Sequence, residues 1–255
     1  MKLGSQLLAA LMACVFAVSS ASAEIEMLQW QRPRRAEHVE AGGFNKLLAV
    51  LLAEINMPVS VNFMPVQRIR RAMLGGHSVC VAPAALPAFL RKNPSVAKEN
   101  YIASSRIDMA TGHVFSRPGE EPVHRLADLA GKTVAYWWRV PLVAQLKATG
   151  VNLQYLLSEK EAIQMMMAGR VDLAWGWRPD SLAYHAEITG KPANFDPEFS
   201  ISQLAMQIIC KKTEETRSLL AQVDKHLAAM RSDGRLRKLL GPHAVIYGVD
   251  IPFPK

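Results

Sequence analysis

The chain has 255 residues, half of them hydrophobic, and a formal net charge of +8. That is enough apolar material for one large domain or two modest ones, and after residue 23 no stretch approaches the about 18 uninterrupted apolar residues of a membrane span. The basic residues are dispersed apart from RPRR (Arg32–Arg35) and RIRR (Arg68–Arg71), so the charge reads as a solvated surface or as attraction for an anionic ligand, not as a nucleic-acid interface.

The first residues read as an export signal. Met1-Lys2 supplies a positive start, Leu7 to Val18 is apolar, and Ala21-Ser22-Ala23 is a small-residue cleavage site before Glu24. LMAC (Leu11–Cys14) hints at lipid attachment, but the apolar residues continuing past Cys14 favour cleavage after Ala23 and a periplasmic destination. Cleavage leaves Cys80 and Cys210 in an oxidising compartment, where a single pair allows one connectivity. A disulfide is expected, the alternative being two buried thiols. No CxxC, HExxH or His/Cys ligand cluster occurs, and no metal or cofactor is expected.

Next comes a strand, IEMLQW, and a helix, GFNKLLAVLLAEIN. Residues 59–84 then read strand, short helix, glycine, strand, with Pro65 in the first helical turn and Gly75-Gly76 ending it. The joining stretch, roughly 107–122, contains the extended MATGHVFSRPG. The plan then repeats. KTVAYWW is a strand and PLVAQLKATG a helix, and residues 151–177 give strand, helix, Gly169 and the strand VDLAW. Ser158 and Glu161 have capping-box spacing, and Met165–Met167 lie mid-helix, where core packing is the reading. QLAMQIICKK is a further strand, and a helix follows from near Glu214 to about Ser232, with Leu219, Leu220, Val223, Leu227 and Met230 on one face.

Each unit is a βαβ crossover with parallel strands. Two α/β lobes joined by two strands, with a cleft between them, are therefore expected. Ligands of open α/β sheets sit beyond the carboxyl ends of the strands, which points Trp137, Trp138 and Arg139 at that cleft.

Four motifs now carry a resemblance: LADLAGKTVAY (Leu126–Tyr136), EAIQMMMAGRVDLAWG, VDKHLAAMRSDGRLRKLLGPH (Val223–His243) and MPVQRIRRAMLGG. In this order the chain resembles bacterial periplasmic solute-binding proteins of the type II, polar amino-acid class. The resemblance implies an α/β, two-lobed type II periplasmic binding fold, each lobe a mixed, mainly parallel sheet flanked by helices and joined by two hinge strands. On this reading residues 24–114 plus 207–255 form one lobe and 115–206 the other. It further implies a monomer that captures a small molecule for an inner-membrane ABC permease, with no enzymatic activity.

The departures bear on the ligand. The family's ammonium-binding aspartate is matched by Trp177, while Asp172 matches an aspartate that is usually structural. The turn that normally offers glycine and hydroxyls to a ligand carboxylate reads AYWWRVP, with Arg139 in place of the glycine. The first-lobe arginine has only Arg91 as a candidate counterpart. An anionic or aromatic compound is therefore expected in place of a standard amino acid. Candidate ligand contacts are Trp30, Arg68, Arg91, Trp137, Trp138, Arg139 and Trp177, each with a packing or solvated-surface alternative. Two other roles fit the same fold: a cyclohexadienyl dehydratase, for which Asp108 and Asp180 are the nearest carboxylates, and a sensory module for a membrane receptor.

Overall fold

The structure, a computed structural model, describes residues 24–30, 43–75, 78–137 and 146–253. The strands are β1 (Ile25–Trp30), β2 (Val59–Met64), β3 (Val79–Ala84), β4 (Tyr101–Ala103), β5 (Asp108–Phe115), β6 (Thr133–Tyr136), β7 (Asn152–Tyr155), β8 (Leu173–Arg178) and β9 (Ser202–Lys211). The helices are α1 (Gly43–Glu54), α2 (Val66–Leu74), α3 (Leu86–Lys92), α4 (Glu159–Met167), α5 (Asp180–Thr189), α6 (Glu214–Ser232) and α7 (Arg235–Leu240).

The sheet runs β2-β1-β3-β9-β5-β8-β6-β7, with β4 beside β9. Its two ends repeat one plan. β1 lies between β2 and β3, all parallel, and β6 lies between β7 and β8, all parallel. Each βαβ unit thus closes around the strand that precedes it in the chain, as the repeated sequence pattern requires.

Apolar residues sort into cores on either side of the central pair β5–β9. One side buries β1, α1 and α6 together through Ile25, Met27, Leu47, Leu51, Leu219, Val223 and Leu227, and a second layer joins Leu28, Ile69, Met73 and Ile209. The other side buries Val114, Leu129, Val134, Leu173 and Trp175 on one face and Phe115, Ala162, Ile163 and Met166 on the other. The helical face of α6 is fully accounted for: Leu219, Leu220, Val223, Leu227 and Met230 are all buried. Met166 is buried, with Met165 and Met167 packed at its side.

Local signals explain the boundaries. The Ser158 hydroxyl accepts the Glu161 N–H at 3.1 Å, satisfying a free donor of α4. The Glu161 carboxylate reaches one residue past the expected box partner, accepting the Leu157 N–H at 3.1 Å. Strand β6 ends at Tyr136, before the tryptophans, because its pairing with β7 stops at Tyr136↔Tyr155. The Asp172 carboxylate accepts the Thr133 N–H at 2.7 Å and fastens the starts of β6 and β8, a structural role. Cys80 and Cys210 face each other in the β3–β9 register and form the expected disulfide. None of the described helices is long and apolar enough to cross a membrane.

Candidate ligand site between the strand ends

Registers locate the candidate site. β3 runs antiparallel to β9, and its last residue, Ala84, stands opposite Gln207. From the other side, the last residue of β8, Arg178, pairs with Thr111 of β5, which pairs with Gln203 of β9. The two strands thus approach head-on along β9, with four residue steps, about 13 Å, between their carboxyl ends. This is the position at which an α/β sheet presents ligand-binding groups, here from two directions at once.

The sequence-derived candidates distribute around that interval. Trp30 ends β1 opposite Met64; because Leu28 pairs with Val81, it is level with Pro83, at the edge of the first half. Trp137 follows β6; because Ala135 pairs with Ala174, it is level with Gly176, at the edge of the second half. Trp177 is one residue further out on β8 and partly buried. Its ring meets the Trp175 ring edge-on, centroids 5.0 Å apart at 75°, so it extends the core stripe of the second half to the strand end. Arg68 is exposed, one turn into α2 from the same edge of the first half. Arg91 is exposed in the last turn of α3, five residues and about 7.5 Å along the helix from its start behind β3. Trp138 and Arg139 lie outside the described residues, as do the candidate signal peptide and the RPRR cluster.

Two glycines leave room for side chains packed against β5 and β8. A Cβ on Gly112 would come within 2.8 Å of the Trp175 ring. On Gly176 it would meet the Ser181 hydroxyl at 1.9 Å and a Glu159 carboxylate oxygen at 2.5 Å. That space is taken by Glu159, which is 3 % exposed and accepts hydrogen bonds from the Trp177 N–H at 2.5 Å and from the Ser181 hydroxyl. Glu159 therefore ties the start of α4 to the end of β8 and the first turn of α5, fixing where Trp177 and Asp180 stand. Its position at the first residue of a capped helix hides this role in the sequence.

The floor of the interval is β5. Asp108 begins it, paired with Met206, inside that gap on β9. It is 5 % exposed, and its Oδ1 has no hydrogen-bond partner. Burial, and secondarily the neighbouring Asp180 carboxylate, push it up to about 7 against the pull of its own backbone N–H. It is the one acid in DMATGHVF, at the head of the strand. Further along β5, the buried His113 places its ring nitrogens 2.9 Å from the Phe199 carbonyl and 2.8 Å from the Thr111 hydroxyl, and burial lowers its pKa.

The C-terminal segment braces the same strand. The Met109 N–H donates to the Val245 carbonyl at 2.7 Å and the Tyr247 N–H to the Ile107 carbonyl at 3.1 Å. From the end of β8, Arg178 Nε donates to the His243 carbonyl at 3.1 Å, a bond that joins the two halves.

Residues 102–232 match the family model described as NMT1/THI5 like, just over half of the chain. The chain belongs to the NMT1/THI5-like family. No curated protein matches it. Among solved structures it is similar to the GluR0 ligand-binding core in complex with L-glutamate, with TM-score 0.66 and 13 % identity over 87 % of this chain and 100 % of that one. It is also similar to a mutant of ArgBP from T. maritima, with TM-score 0.59 and 15 % identity over 86 % of this chain and 93 % of that one. A third is the second substrate-binding domain of a putative amino acid ABC transporter from Streptococcus pneumoniae, with TM-score 0.56 and 12 % identity over 85 % and 97 %. The fold of this NMT1/THI5-like chain is thus the type II periplasmic binding fold expected from its motifs.

Proposed function

We propose that this chain is the solute-binding component of an ABC uptake system. Exported to the periplasm, it closes lobes 24–114 plus 207–255 and 115–206 over one small organic molecule, as a monomer, and presents it to an inner-membrane permease. The head-on approach of β3 and β8 along β9 carries the reading, because it puts tryptophans of both halves, Trp30 on one side and Trp137 and Trp177 on the other, at facing strand ends. Flat apolar side chains favour a ligand with an aromatic or similarly flat body, whose desolvation on closure supplies affinity. The neighbours' names, a glutamate-bound core, an arginine-binding protein and a transporter domain, support capture of small solutes. Arg139 remains the candidate partner for a ligand anion.

The test is a thermal-shift screen of aromatic acids, amines and neutral compounds, followed by small-angle scattering. A ligand at a hundred times its Kd is expected to stabilise the fold by about 2.7 kcal/mol and to reduce the radius of gyration by closing the lobes. A complete screen with neither effect overturns the reading. One observation favours a dehydratase instead: Asp108, protonated near neutrality, has the character of a general acid. Turnover of prephenate by the purified protein would establish that reading in place of simple binding.

A further inference from the structure

The described residues leave a buried carboxyl oxygen at the strand ends without a donor, that of Asp108. Asp108 is buried on the floor of the interval, contributed by the central strand β5, and Asp180 opens α5 immediately beyond the end of β8. Two carboxyl groups from different elements thus bear on one point. Their repulsion contributes to the raised pKa of Asp108.

Among the described residues, the arginines around Asp108 each contact another group. Arg178, on β8, gives its Nε–H to the His243 carbonyl. Arg106, just ahead of β5, lies over the Tyr247 ring at 5.4 Å. Arg231, on α6, donates to the Tyr247 carbonyl at 2.9 Å and the Arg106 carbonyl at 2.5 Å. β9 brings only Met206 opposite, and the C-terminal segment brings His243 and Tyr247. Among the described residues no ion pair reaches Asp108, and its Oδ1 accepts no hydrogen bond. A buried carboxyl oxygen without a donor is costly unless a partner arrives.

We infer that Asp108, with Asp180 beside it, receives a cationic group of the solute, a protonated amine or amidine carried on the flat body that the tryptophans hold. This rests on the solute-binding reading and specifies its ligand. It relocates charge recognition from the position held by Trp177 to the central strand that joins the halves. A ligand cation there offsets the effect of Asp180 on Asp108, so binding and closure favour each other. The cation pairs with ionised Asp108, so binding releases a proton as pH falls toward and below 7.

The experiment measures binding of phenethylamine, benzamidine, L-phenylalanine, 3-phenylpropionate and 2-phenylethanol by calorimetry at pH 8 and pH 6. It compares the wild type, Asp108→Asn and Asp180→Asn, with circular dichroism as the check on folding. Compounds bearing an ammonium or amidinium group are expected to bind. Their affinity should drop about tenfold from pH 8 to pH 6, following ionisation of a carboxyl that titrates near 7. In folded Asp108→Asn both the binding and its pH dependence should be lost, and Asp180→Asn should weaken binding in the same direction if the first variant fails to fold. Equal or tighter binding of the propionate or the alcohol overturns the inference, as does unchanged amine binding by the variants. Binding of the propionate alone leaves the solute-binding reading standing. Absence of binding in every arm overturns the inference, and a negative scattering result in the wider screen then removes the solute-binding reading too.

Discussion

Reduction of the Cys80–Cys210 bridge is expected to cost a large share of the stability of this fold. The two residues are 130 positions apart and join β3 to the carboxyl half of β9, with both side chains fully buried. Restricting a loop of that length in the unfolded chain is worth about 5 kcal/mol at 25 °C in the chain-entropy model, against a typical total of about 5–15 kcal/mol. Urea denaturation of the oxidised protein, the same protein in a phosphine reductant, and Cys80→Ala/Cys210→Ala measures it directly. The reduced protein should unfold at a markedly lower midpoint, and the double variant should track it. The bridge fixes only the part of β9 that pairs with β3. Residues 202–206, which pair with β5, lie outside it, and on the proposed reading they supply the freedom for closure. Ligand-induced compaction should therefore survive reduction under conditions where the protein remains folded. A stability loss below about 1 kcal/mol would refute the entropic reasoning, and loss of compaction in folded, reduced protein would refute the division of β9.

Two further outcomes follow from the site. Asp108 has a folded pKa of about 7 against an ordinary 3.8, so the folded state holds a proton that the unfolded state has lost between those values. The resulting penalty is absent below pH 4, grows as pH rises to 7 and is complete above it, at up to about 4 kcal/mol. Asp108→Asn should consequently gain stability over the wild type at pH 8 and lose that advantage at pH 4, measured by parallel urea titrations; a variant less stable at pH 8 would contradict this. Gly176→Ala should cost about 3 kcal/mol or more, because its methyl group displaces the Ser181 hydroxyl and the Glu159 carboxylate and leaves a buried acid without its donors. A midpoint within experimental error of the wild type would show that the site relaxes without breaking those bonds.

The parts of the fold that sequence could supply are those written as periodicity or as local caps. The apolar stripe of α6 and the N-cap at Ser158 are properties of neighbouring residues, and each is found where the pattern placed it. Even the repeat of two βαβ units is legible, because each unit carries its own glycine stop. Register is not legible in this way. Nothing in the runs VCVAPA and SQLAMQIICK states that Ala84 stands opposite Gln207, yet that pairing makes two carboxyl ends converge on one stretch of β9. The same holds for charge. Asp108 and Asp180 are 72 positions apart in the chain, named from sequence only as the nearest carboxylates for a dehydratase, and become a pair only because β8 and β5 align Arg178 with Thr111. Glu159 shows the converse: an acid at a helix start has a sufficient local explanation, which conceals its two bonds to the far side of β8. The tryptophans were legible as strand-end residues because bulk and position are both local. What they face depends on contacts between segments distant in sequence, and ligand specificity is decided there. On the proposed reading, the aromatic strand ends set where a solute lies, and the inferred role of Asp108 on the central strand adds a cationic group to what it carries.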